Sequence, residues 1–437
     1  MGKVNVRPMA TACIAGAIAI GIAACGTGSS GGGSGGGSKG LKTGPGVDAK
    51  TKTIALGVLS PLSGPVAAIG QPLTDGEQAY FDAVNAAGGI NGWKVKLVKR
   101  DSKYDPQTQV QQFNSIAPKV AFIAESLGSP TTKAIKPLAG QQKMLIGAAA
   151  QDSALVNDPI MAVIGTPYAI DDANALDYIV RQKGQKNAKI GIVYQNDEYG
   201  QDGLRGYEAG LNAYHFNDVA RATYKVGDTD LTAQVHKMRA AGAQYVFVVG
   251  VPSAAATLVG TAASQGYNPT WVFQGPAWSE YLMSSDGTPG GKPTPVAPAL
   301  AKNVWVLGYE SQWGDKSVPG MAQFIADTKM HAPKQIPDYY FMYGYSMARM
   351  ETAVLRKAIA AGDLTRAGIL NAKLHLGRLD MGGLMPPINY TPALGPAARE
   401  TGISRVSSTT PGFLKGFQSF FTGEAARSMQ FARTPSS

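Results

Sequence analysis

At 437 residues the chain exceeds one small domain, and a hydrophobic share of 44% supplies packed cores, which excludes a disordered chain. The net charge of +10 comes without a dense Lys/Arg run, so it marks a basic surface and makes no case for nucleic acid. Cys13 and Cys25 both lie near the start and the four histidines are scattered, so neither a disulfide, a metal nor a cofactor is expected in the folded body.

Residues 1–25 open with Lys3 and Arg7, continue as an apolar run from Met9 to Ala24, and end Ile22-Ala23-Ala24-Cys25. A basic start before an apolar stretch too short for a comfortable membrane span reads as a secretory signal peptide. Its ending resembles the bacterial lipobox, in which the cysteine becomes the lipidated first residue of the mature protein. Cys25 is therefore the expected anchor, and the body is expected outside the cytoplasm, on the outer face of the cell membrane. Residues 26–52, rich in Gly and Ser, read as a flexible tether with a reach of roughly 25 to 30 Å by random-coil scaling.

From Thr53 the pattern is α/β. Ile54, Leu56 and Val58 alternate into a turn, and a helix is expected from Pro72 to Asn85, closed by Gly88-Gly89. Trp93 to Val98 reads as an outer strand with solvated lysines, and Asp105-Pro106 as a helix start with a cap and proline at the first position. Strands follow at Val120 to Ala124 and Met144 to Gly147, then a second series at Lys189 to Tyr194, Tyr245 to Val251, Thr270 to Gln274 and Asn303 to Glu310. Helices are expected at Gln201 to Tyr214 and Asp338 to Ala360, the latter with Met347, Met350 and Val354 as core. The tail from Met381 reads as extended crossing strand and loop. Strand, loop and helix in recurring order imply two α/β lobes with mostly parallel, doubly covered sheets.

One corner stands out: FIAESLGSPTTKAIKPL, from Phe122 to Leu138. Ser129 is placed as N-cap and Pro130 as the first helical residue, so the helix start offers N–H groups and the hydroxyls of Ser129, Thr131 and Thr132 to a carboxylate or carbonyl. The residues alone equally allow Ser129 to do no more than cap its own helix.

The sequence resembles the type I periplasmic binding proteins, in particular the branched-chain amino-acid branch of ABC-importer receptors, over about residues 53–392. The stretches that carry the likeness are IALGVLSPLSGPVAAIG, AVNAAGGINGWKVKLV with DSKYDPQ, LGSPTTKA, IGIVYQNDEYGQDGL and FQGPAW, in that order. The resemblance implies two doubly wound lobes joined by three crossing strands, near Gly165 to Tyr168, Tyr309 to Trp313 and Gly383 to Asn389. The lobes would comprise residues 53–167 with 311–385, and 168–310 with 386–437. It implies a monomer that closes on a small solute and delivers it to an ABC permease and its ATPase.

By the same likeness Ser129 meets a ligand carboxylate, Ala149 offers backbone, Gln151 replaces a usual threonine, Tyr199 is a cleft tyrosine and Ile69 lines the side-chain pocket. The acidic residues that hold the ligand ammonium in that branch align with Tyr168 and Ala277, and a further tyrosine with Val251; Trp278 adds an aromatic wall. Without an anionic partner a buried ammonium costs several kcal/mol, so a carboxylate or amide with an aromatic or branched aliphatic body is expected. Asp171 and Asp172 lie close enough in sequence to restore a carboxylate, which would return the chain to the amino-acid binders. A lipoprotein that signals to a membrane receptor is the other alternative. Nucleophile-elbow, zinc, P-loop and calcium-loop motifs are absent, so an enzyme is not expected.

Overall fold

A computed structural model describes residues 40–431, in two α/β lobes. The signal peptide, Cys25, most of the tether and the last six residues lie outside the described residues. In the first lobe the sheet runs in the order Val47–Asp48, Thr53–Ser60, Ile123–Leu127, Ile146–Ala149, Met161–Ala162, with Lys94–Asp101 also paired to Thr53–Ser60. Only the pairing of Val47–Asp48 is antiparallel. In the second lobe the order is Leu414–Phe421, Thr401–Val406, Val304–Gly308, Thr270–Phe273, Tyr245–Val249, Lys189–Gln195, Asn217–Tyr224. Here the central strands are parallel, and the last two strands of the chain add an antiparallel edge. Largely buried strands such as Tyr245–Val249 are continuous apolar runs because helices cover both faces.

Several expectations change on contact with the structure. The helix expected from Pro72 spans Ala67–Ala86, with Pro72 inside it. The loss of one N–H is tolerated because the helix is fixed by packing. Gly76 and Gly344 bring it against the helix Tyr339–Ala360 so closely that a Cβ at either would sit about 2 Å from a backbone oxygen of the other helix. The end of the presumed tether is ordered: Lys42–Thr43 pairs with Asp363–Leu364, Val47–Asp48 with Ile54 and Thr53, and Ala55 N–H donates to Gly46 O at 2.7 Å. Composition concealed these short ladders.

The chain passes between the lobes three times. The first passage follows Ala162 and leads to the helix Tyr168–Asp177; the second follows Gly308. The third runs beside the first, since Tyr390 Oη donates to Val163 O and Thr166 Oγ1 to Glu400 O. It therefore occupies residues 390–400, later than the stretch from Gly383 to Asn389, where Leu384 O instead accepts from Ser311 N–H.

The first lobe buries three carboxyls together, Glu77, Glu125 and Glu351, all with no exposed surface. Burial, then neighbouring carboxylates, hold Glu77 and Glu351 well above the usual range. Burial lifts Glu125 to about 7 despite hydrogen bonds that include Thr74 Oγ1 at 2.6 Å. The native chain keeps protons that the unfolded chain has released above about pH 4.5, so this stabilisation is complete below that pH. It is lost as pH rises through about 7 for Glu125, and higher still for the other two. We therefore expect the unfolding free energy to fall between pH 5 and 8, by up to about 1.4 kcal/mol per pH unit per carboxyl, and the thermal midpoint to fall with it. Glu351→Gln should make the fall shallower; equal slopes in calorimetric scans would refute this account.

Candidate functional site

A cavity lies where the parallel strands of both sheets end, the place where loops of open α/β sheets converge. Ile123–Leu127 delivers Leu127, Gly128 and Ser129, and Ile146–Ala149 delivers Ala149 and Gln151. From the second lobe, Tyr199, Val251, Pro276 and Tyr309 follow the ends of Lys189–Gln195, Tyr245–Val249, Thr270–Phe273 and Val304–Gly308. Ile69 and Leu73 form an apolar floor from the helix Ala67–Ala86.

Ser129 is not the helix cap. Gly128 occupies that position with φ +99°, and Ser129 is the first residue of the helix Ser129–Gln141. A Cβ at Gly128 would meet the Tyr104 ring at 2.5 Å, so only glycine fits there. The consequence is that the Ser129 hydroxyl, 1% exposed, has no hydrogen-bond partner and lines the cavity. Thr131 and Thr132 do not share this role, because their hydroxyls donate back to Gly128 O and Ser126 O at 3.0 Å.

The cavity gathers Ile69, Ser129, Ala149, Gln151, Tyr168, Tyr199 and Val251. Ala277 and Trp278 are fully buried outside it, with Pro276 on the wall in their place. Asp171 and Asp172 are also off the wall: Asp171 accepts from Thr401 Oγ1, and burial raises both carboxyls well above the usual range. Neither returns a carboxylate to the cavity. Its aromatic character comes from tyrosines that motif reasoning passed over: Tyr104, Tyr309, Tyr339, Tyr340 and Tyr343 join Tyr168 and Tyr199. The signal was present in DYYFMYGY, where Tyr339, Tyr340 and Tyr343 fall on one side of a helix start.

Burial raises every one of these phenols, so all remain neutral donors. Gln151 Nε2 donates to Tyr343 Oη at 2.5 Å, which orients both side chains. Tyr168 and Tyr199 stack obliquely with centroids 4.5 Å apart. The wall carries no Asp, Glu, Lys, Arg or His. Its free volume of about 40 Å³ makes it a slot between ring faces, so a sizeable solute enters by parting rings or lobes.

The two lobes meet around this slot through four sets of hydrogen bonds. Asp202 on the helix Glu198–Tyr214 accepts from Ser153 N–H at 3.0 Å and from Ser153 Oγ. Glu280 Oε1 accepts from Tyr339 N–H at 2.9 Å, and Tyr340 Oη donates to Trp278 O at 2.7 Å. Gln195 Nε2 donates to Tyr104 Oη at 3.3 Å, beside Asp197. These contacts tie the two lobes together around the slot.

Two lobes, three passages and a slot at the strand ends define a hinged solute-binding protein. The chain belongs to the periplasmic binding protein family, whose profile it matches over residues 53–411. It is similar to the Leu/Ile/Val-binding protein homolog 7 of Brucella abortus, 25% identical over 342 residues, covering 71% of this chain and 82% of that protein. Among solved structures it is similar to a fatty acid ABC transporter substrate-binding protein from Thermomonospora curvata. There the identity is 30% and the TM-score 0.83, over 90% of this chain and 97% of that one. A branched-chain amino-acid ABC transporter protein from Thermus thermophilus with bound valine shares the fold, at 16% identity and TM-score 0.74, over 86% of this chain and 98% of that one. The role is that of an extracytoplasmic solute-binding protein.

Asp202, 1% exposed, is one of two deeply buried carboxyls that join the lobes, the other being Glu280. Asp202→Ala should remove about 1.5–3 kcal/mol from lobe closure. In small-angle scattering the radius of gyration should rise relative to the parent chain; an unchanged value would show that Asp202 does not hold the lobes together.

Proposed function

We propose that the slot binds a monocarboxylate, or the corresponding amide, with an apolar aliphatic or aromatic body. The observation that carries this is the Ser129 hydroxyl, buried and unpartnered at a helix start, in a cavity without any ionised group. A carboxylate placed there accepts from Ser129 Oγ and meets the positive end of the helix Ser129–Gln141, while tyrosine faces and Ile69 and Leu73 take the carbon body. An α-ammonium group would be desolvated with no anion to meet it, at a cost of several kcal/mol. The fatty-acid binding named for the Thermomonospora curvata protein supports an aliphatic acid.

On this reading the chain is a monomer and not an enzyme. It is held at the outer face of the membrane through a lipidated Cys25, and it hands its solute to the permease after closure. Binding energy shared between lobes shifts the population only through differential affinity for the closed form.

A thermal-shift comparison of leucine, isoleucine and valine with their deaminated acids, medium-chain fatty acids, aromatic carboxylates and small amides tests the ligand class. A ligand at a hundredfold excess over its Kd adds about 2.7 kcal/mol. Shifts from the amino acids alone would sink the proposal. For the best acid, Ser129→Ala should weaken binding by about 1–3 kcal/mol. An unchanged Kd in calorimetric titration would remove Ser129 from the site.

A further inference from the structure

A second and larger cavity, about 390 Å³, lies behind Tyr339, which lines both spaces. Its walls come from the passage after Val304–Gly308, the start of the helix Tyr339–Ala360, and the edge strands Thr401–Val406 and Leu414–Phe421. Four carboxyls line it, Glu280, Glu310, Asp315 and Asp338, and no Lys, Arg or His does. Glu280 is 1% exposed; its Oε1 accepts from Tyr339 N–H, and its Oε2 meets no donor. Neither carboxyl oxygen of Glu310 has a hydrogen-bond partner, and both are buried. Aromatic rings of Trp313, Tyr339 and Phe417 share the wall.

Burying several carboxylates together without a cation is unfavourable unless they keep protons or find a positive partner. Burial and mutual repulsion hold Glu280 and Glu310 well above the usual range, and Asp338 is pushed up to about 6. Asp315, at the exposed rim, is held below its usual value by Ser317 and stays ionised. The groups facing this cluster from the packed elements are Asp75, Tyr281, Tyr339 and Tyr340, none of them cationic. Among the described residues no group of three carboxyl, His or Cys side chains is placed to hold a metal ion, and this wall joins its carboxyls to aromatic carbon surface. Carboxylates combined with aromatic faces are the surroundings that suit an alkylammonium ion.

We propose that this cavity binds a small organic ammonium ion, its charge met by Glu280, Glu310 and Asp338 and its carbon surface lying against Tyr339 and Trp313. The ion takes the place of protons on these carboxyls, so binding strengthens as pH rises. Its walls come from both lobes and from one passage between them.

The test is calorimetric titration of the whole protein with butylammonium and tetramethylammonium chloride, against sodium chloride at equal ionic strength. The expected result is saturable binding of at least one of them at pH 8, at least tenfold weaker at pH 6 and at least tenfold weaker in Glu310→Gln. Absence of saturable binding by both ions, a pH-independent Kd, or an unchanged Kd in a folded Glu310→Gln overturns the proposal. If that variant does not fold, the pH dependence of the parent protein decides on its own.

Discussion

The close crossing of two helices in the first lobe governs the rest of the molecule. Gly76 and Gly344 remove the side chains that would hold the helices Ala67–Ala86 and Tyr339–Ala360 apart, so backbone meets backbone. Close packing of this kind is felt over the length of both helices, because protein interiors do not yield by half an ångström without cost. One helix thereby presents Ile69 and Leu73 to the slot, and the other presents Tyr339, Tyr340 and Tyr343 from the same lobe. The same helix start reaches across to Glu280 and Gly275 of the second lobe. Floor, aromatic wall and interlobe contact are thus set by one crossing.

Much of this was legible before any coordinates. Apolar runs such as Tyr245–Val249 and caps such as Asp105 and Asp338, which accept from Thr108 N–H and Phe341 N–H, announce their elements through local chemistry. Of the cavity lining, Ser129 was legible from its own strand-to-helix corner, while Ala149, Tyr199 and Val251 came only through the family resemblance; Ala149 ends a buried strand and the other three follow one. The site was illegible where it depends on the meeting of distant elements. Tyr309 and Tyr343 have ring centroids 5.5 Å apart, yet one follows a strand of the second lobe and the other sits on a first-lobe helix. No local pattern encodes that meeting. Short ladders at Lys42–Thr43 and the register-shifted pairing of Thr401–Val406 with Leu414–Phe421 escaped for the same reason, since each is stabilised only by its partner.

Charge is handled in a consistent way across the fold. Carboxyls are kept off the wall of the slot and concentrated elsewhere, in the first-lobe core at Glu77, Glu125 and Glu351 and behind Tyr339 at Glu280, Glu310 and Asp338. The slot itself relies on neutral hydroxyls, which donate without bringing a charge whose desolvation must be offset. On the proposed function, its selectivity would come from shape and from a few directed donors.

The glycine that opens the helix Ser129–Gln141 carries a last implication. A helix started by Gly128 has no side chain of its own to satisfy its first-turn N–H groups. An anionic solute would supply that missing acceptor from outside the chain. Loading would then complete a piece of secondary structure in the first lobe, so slowed amide exchange in one helical turn would report occupancy independently of any motion between the lobes.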